Sequence, residues 1–202
     1  MKTLAQIEPR TPIASLPFTI ASPGGYYVTT NLTGVAASQG IIIQSDDVTL
    51  DLNGFTLTGV AGALSGITLG ANAVNVEIRN GTLSHWALGV DARAANHCRF
   101  EGLRVSLNGA IGLATGIASF IQSCTAISNQ GIGISTDQGS TINDSRAWGS
   151  QQHGFSIGSG SQLKNCTASF NMGNGFVLSD NCLMADCALP IRRSSDLNTP
   201  CG

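Results

Sequence analysis

The chain has 202 residues, a formal net charge of −2, 11% charged and 5% aromatic residues. The charged share is far below the roughly 25% of average domains. No cluster of Lys or Arg occurs before Arg192-Arg193, so nucleic-acid binding has no electrostatic basis, and no run of 18 apolar residues offers a membrane span.

Residues 1–36 hold four of the six prolines and both tyrosines. An end coil of a repeat exposes unpaired strand edges, so this atypical stretch is expected to form an N-terminal cap. The opening MKTLAQIEPRTP has no apolar core of a secretory signal. From Asp46 to Leu57 the chain alternates apolar and polar residues and turns at Asn53-Gly54, which begins the regular coils. Asp46, Asp47 and Asp51 are split between two faces by that alternation and form no cage.

A Gly followed by an apolar residue then recurs at Gly40-Ile41, Gly66-Ile67, Gly89-Val90, Gly112-Leu113, Gly133-Ile134, Gly154-Phe155 and Gly175-Phe176, at spacings of 26, 23, 23, 21, 21 and 21 residues. One supersecondary unit is being repeated. Superimposed at 21 residues, Phe100, Ile121, Ile142, Leu163 and Met184 form one apolar column. Leu113, Ile134, Phe155 and Phe176 form another, with Thr115, Thr136, Ile157 and Leu178 two residues on. A separation of two is strand periodicity, and Ala114, Ser135 and Ser156 between them read as an outward face. No segment sustains a helical period. The expected fold is all-β, a single-stranded right-handed parallel β-helix of about seven coils spanning residues 37–187. At about 4.8 Å per coil, it makes a rod roughly 30 to 35 Å long.

Corners are expected to use Gly and Asn for left-handed backbone. The column four residues before each Gly reads His85, Asn108, Asn129, Ser150 and Asn171 and suggests a polar ladder. Leu103, Cys124, Ser145, Cys166 and Cys187 share a column, as do Cys98 and Cys182 with three serines between. Cys124 and Cys166, two coils or about 9.6 Å apart, are beyond disulfide reach. No CxxC or His/Cys cluster supports zinc. Residues 188–202 break the pattern, with Pro190 where a strand must donate. They read as an irregular tail, either a cap or two frames of a sequencing adaptor joined to a longer repeat.

The segments KTLAQIEPRTPIASLPFTIASPGGYYVTTNLTG, DDVTLDLNGFTLTG and NGTLSHWALGVDA, and the repeated CTAxxN, resemble bacterial right-handed parallel β-helix proteins of the pectin-lyase-like superfamily. The resemblance implies export by a signal preceding the KTL segment, and a secreted or cell-surface location. It also implies a polysaccharide partner. It names no reaction, because the superfamily holds lyases, glycosidases, epimerases, adhesins and phage tailspikes.

Each enzymatic reading then has to find its residues. His153-Gly154 resembles the Gly-His-Gly segment of polygalacturonases, yet no Asp pair stands one coil away. A lyase would need carboxylates for Ca²⁺ and a basic side chain to take a proton. Asp91 and Arg93 lie two apart on one strand, with Asp137 two coils beyond Arg93 across Gly116, so Asp91, Arg93, Asp137 and His153 are the catalytic candidates. Glu77 with Arg79, and Asp144 with Arg146, repeat the same spacing as solubilising pairs. His85 and Trp86 offer a ring for sugar stacking. An outward Thr-x-Thr ladder for ice is absent. The expectation is a non-catalytic, polysaccharide-binding β-helix without cofactor; the alternative is a lyase, epimerase or glycosidase whose active face is incomplete in this chain. An exposed end coil also favours end-to-end self-association.

Overall fold

A computed structural model describes residues 9–71 and 73–188. The tail beyond residue 188 lies outside the described residues. Twenty-two strands and no helix among these residues wind into a solenoid whose neighbouring strands are all parallel. Three flat faces result. Face one stacks Thr11–Ile13, Gly24–Val28, Val48–Asp51, the first half of Glu77–Ser84, the first half of Arg99–Ser106, Phe120–Gln122, Thr141–Asn143, Gln162–Lys164 and Leu183–Ala185. Face two stacks Leu32–Thr33, Thr56–Thr58, the second halves of the two long strands, Thr125–Ile127, Arg146–Trp148 and Thr167–Ser169. Face three is a separate eight-stranded sheet running from Phe18–Ile20 to Phe176–Leu178.

Face three therefore has one strand more than the seven Gly-apolar pairs suggest, because Phe18–Ile20 precedes the first pair and aligns with Ile41–Ile43. Alternation explains it: Ile13, Ile20, Val28 and Leu32 are buried and supply the inward side chains of an early coil. The ladder thus reaches back to Thr11, into the stretch read as a cap.

The interior is filled by in-register columns. Leu50, Ile78, Phe100, Ile121, Ile142 and Leu163 line face one. Ile41, Ile67, Val90, Leu113, Ile134, Phe155 and Phe176 line face three. Where face three becomes aromatic, the Phe155 and Phe176 rings stack at 4.9 Å and 14°. Face two shrinks to Ala126, Ala147 and Ala168 over the same coils, which keeps the prism at constant volume. Ala114, expected outside, is fully buried, a methyl flanked by its lateral neighbours Asp91 and Ser135.

The Gly column has a different cause from the one expected. None of these glycines is left-handed. A Cβ on Gly112, Gly133 or Gly154 would lie 2.7, 2.7 or 2.6 Å from the carbonyl oxygen of the corresponding Gly one coil on, so close backbone approach excludes any side chain. Left-handed backbone belongs instead to true corners such as Gly54, Gly139 and Asn53.

The polar ladder is real, but its first member is not His85. The two long strands pair Ser84 with Ser106, which sets Trp86, one residue further than expected, beside Asn108. The Trp86 backbone N–H donates to Asn108 Oδ1 at 3.1 Å, and the Asn108 amide donates to Asn129 Oδ1 at 3.0 Å. A second ladder runs where Ser119 and Ser140 N–H groups donate to Ser140 and Ser161 hydroxyls.

Candidate functional site

Asp91 and Arg93 project from Leu88–Ala92 and its following corner on face three. The arginine turns back to clasp the carboxylate through Nε and a terminal nitrogen, both at 2.8 Å. This contact holds the Asp91 carboxyl below its ordinary range, against the opposing effect of partial burial. Arg93, Gly116 and Asp137 do share a column, yet Arg93 does not reach Asp137. Asp137 is an exposed corner residue whose carboxylate accepts the Gln138 N–H at 2.7 Å.

His153 stands in the column expected for it, between Ile132 and Asn174. Its Nδ1 accepts the Asn174 backbone N–H at 3.0 Å, so this ring nitrogen serves the coil above it. The four catalytic candidates therefore occupy separate places: a clasped pair, a solvated corner and a half-buried stitch between coils.

The pairing of His85 with Trp86 as a sugar platform is corrected by burial. Trp86 is 1% exposed, packs where a Cβ on Gly34 or Gly40 would collide with its ring, and donates its indole N–H to Leu57 O at 2.9 Å. It is a core residue with no ring face for a ligand. His85 is exposed in left-handed backbone at φ 62° and borders an open groove of about 620 Å³, with Thr58, Leu107, Gly109 and Gln130. His85, Leu107, Ser128, Gly149 and Phe170 share one left-handed corner column. Leu107 and Phe170, both more than half exposed, are bulky residues in a conformation that such side chains rarely adopt.

Trp148, 36% exposed, packs against Phe170 with ring centroids 5.8 Å apart. This exposed aromatic pair escaped the sequence reading. Its signal was present in the register, since Trp148 pairs with Ser169 and so sits beside residue 170 on the next coil.

Face one carries a second arrangement that sequence reasoning missed. Asp51 is buried and accepts Arg79 Nε at 3.1 Å, the Asn53 N–H at 2.8 Å and the Asn80 amide at 3.4 Å, with Arg10 at 3.7 Å. Arg79 also reaches Glu77 at 3.3 Å, as expected. One coil on, Arg99 pairs with Glu101 at 2.9 Å and lies over the Phe120 ring. The expected Asp144–Arg146 pair does not form. Asp144 is left-handed, which breaks the alternation, and its carboxylate accepts the Gln122 and Asn165 amides at 2.6 and 3.0 Å. Those two amides, Asn165 first, lower its pKa.

No group of three or more His, Cys, Asp or Glu that could hold a metal ion occurs among the described residues. No helix there is long and apolar enough to cross a membrane.

Three parallel faces around a stacked core define a pectin-lyase-like β-solenoid. The chain belongs to the right-handed beta helix family, whose model, the right handed beta helix region, matches residues 28–189. No curated protein matches the sequence. Among solved structures, the A-module of the Azotobacter vinelandii mannuronan C-5 epimerase AlgE4 is similar, with 12% identity and a TM-score of 0.66 over 88% of this chain and 67% of that one. The Agl-KA catalytic domain (14%, 0.62) and the catalytic domain of a GH87 alpha-1,3-glucanase in complex with tetrasaccharides (13%, 0.60) also align over 88% of this chain. The chain spans about two fifths of those two, at 41% and 40%. At these identities the likeness is one of fold.

Proposed function

We propose that this β-helix is an exported, non-catalytic domain that binds, or displays itself against, cell-surface or extracellular polysaccharide. One observation carries the reading: every carboxylate in an outward strand column among the described residues, Asp51, Glu77, Asp91 and Glu101, is tied to an arginine. A carboxylate whose oxygens are engaged by a guanidinium is not free to take a proton from a substrate or give one to it. Asp91 and Asp137 are two coils and two residues apart, about 10 Å along the rod and about 7 Å across it. That offset exceeds the carboxyl spacing of an inverting pair, about 6.5 to 9.5 Å. The open groove beside His85 and the exposed Trp148–Phe170 pair supply surface on which sugars could lie.

The second reading is a carbohydrate-active enzyme of this fold, a lyase, epimerase or glycosidase, with Ca²⁺ as the cofactor to test if it is a lyase. The structural neighbours, a mannuronan C-5 epimerase module and an alpha-1,3-glucanase catalytic domain among them, favour it by analogy of fold. A glycan array, run beside reducing-sugar and unsaturated-uronate assays on pectin, alginate and α-1,3-glucan, separates the two. Binding without turnover is expected. Turnover abolished by Asp91→Asn or Asp137→Asn would overturn the non-catalytic reading.

A further inference from the structure

Face two differs from the others in its charge. Its outward column reads Thr56, Thr82, Arg104, Thr125, Arg146 and Thr167, one residue per coil in direct register. The companion column two residues along reads Thr58, Ser84, Ser106, Ile127, Trp148 and Ser169. Neither column contains an acid. Arg10, Arg79, Arg93 and Arg99 each meet a carboxylate, whereas the exposed Arg104 and Arg146 make no ion pair among the described residues. Asp144, two residues from Arg146, is held away by the Gln122 and Asn165 amides. A groove of about 340 Å³ opens beside Arg104, lined also by Asn80, Thr82, Ser123 and Thr125.

We infer that face two is a binding strip for an anionic polysaccharide, one bearing carboxylate or sulfate-ester groups, laid along the rod axis. This deepens the polysaccharide reading and rests on it. Arg104 and Arg146 stand two coils apart in one column, about 9.6 Å along the rod, which is about the length of a disaccharide. Each presents a planar fork of donors suited to a carboxylate or sulfate. Thr125 lies between them in the column and Thr82 on the far side of Arg104, and the exposed Trp148 ring, braced by Phe170, offers an apolar face to a sugar ring. Two cations on a chain of net charge −2 suit a sparsely charged glycan better than duplex nucleic acid, which carries a charge about every 1.7 Å.

The test titrates the full chain with kappa-carrageenan (a sulfate ester on each disaccharide), polygalacturonate (carboxylates) and neutral dextran, and reads the tryptophan fluorescence of Trp86 and Trp148 together with calorimetric heat at low and moderate salt. Binding to either polyanion is expected, and which of them binds identifies the group recognised. The double variant R104Q/R146Q should bind at least about tenfold more weakly with an unchanged melting temperature. R99Q, whose arginine is held by Glu101, should bind as the parent does. Salt should weaken the parent more steeply than the double variant. Undiminished binding by R104Q/R146Q overturns the assignment, as does tighter binding to a duplex oligonucleotide or to phosphatidylserine vesicles. Binding of neutral glycans alone overturns the anionic strip and leaves the polysaccharide reading standing; binding of no glycan on the array or in titration removes both.

Discussion

Asn108 and Asn129 stand one above the other inside a corner, and a single oxygen, Asn129 Oδ1, accepts both the side-chain amide and the backbone N–H of Asn108, at 3.0 and 3.1 Å. Both residues are fully buried. The stack continues to Asn171 but is interrupted at Ser150, whose Oγ has no partner among the described residues. Asn129→Ala should cost about 3 kcal/mol, because it strands two buried donors. Ser150→Asn should add about 1 kcal/mol, its amide reaching Ala126 O as Asn129 reaches Val105 O. Thermal melts of the two variants check both signs; a destabilised Ser150→Asn would show that the interruption is required.

The two classes of glycine should respond differently to a methyl group. Gly112→Ala places a Cβ 2.7 Å from Gly133 O and 2.7 Å from Asn129 Nδ2, both fixed by their own ladders, and should cost about 3 kcal/mol or more. Gly139→Ala meets nothing within 4 Å and suffers only its left-handed φ of 68°, about 1 to 2 kcal/mol. Urea midpoints in this order support the close-approach argument; equal losses would refute it.

The Asp91–Arg93 clasp sets a pH dependence of known sign. The folded carboxyl titrates below its ordinary value of 3.8, chiefly through the Arg93 hydrogen bond. Its stabilisation is therefore complete above that value and is lost as pH falls through the lower folded one. Arg93 is 58% exposed, so solvent limits the pair to about 0 to 1 kcal/mol. Asp91→Asn should lose no more than that at pH 7 and nothing at the acid end, as read from denaturant midpoints across pH. A loss several times larger would mean that the pair supports more than itself.

Thiol reactivity should be ordered along the rod. The Cys166 N–H donates to Cys187 Sγ at 3.4 Å. A hydrogen bond from the Cys166 side chain, helped by this N–H, brings the Cys187 thiol down to about 7, and Cys166 is raised in turn. Burial pushes Cys124 up to about 12 and also raises Cys98. Among these four, iodoacetamide at pH 7 should alkylate Cys187 first and the buried Cys98, Cys124 and Cys166 only later, with peptide mass spectrometry following the time course. Prior labelling of Cys124 would contradict the buried column.

How much of this was legible in the sequence depended on coil length. From Arg99 onward the laps are 21 residues, so a neighbour in space is a neighbour at fixed spacing, and the columns through Ile121, Leu113 and Cys124 were read correctly. Earlier laps are longer. Asp51 meets Arg79 across 28 residues, and that offset hid the salt-bridged centre of face one. A one-residue difference moved the ladder from His85 to Trp86 and turned an apparent sugar platform into core. Alternation failed at Asp144, where left-handed backbone redirects the side chain and leaves Arg146 without its expected acid. Trp148 and Phe170 were overlooked because they meet between coils, diagonally, and no single column contains both.

The bare backbone seam through Gly112, Gly133 and Gly154 tolerates no embellishment. Variation must therefore go elsewhere: whole laps can be duplicated without altering the rise, and residues can be inserted at the outer bends, as the longer early windings already do. A lineage built on this plan can lengthen its rod and redecorate its edges while the seam stays fixed.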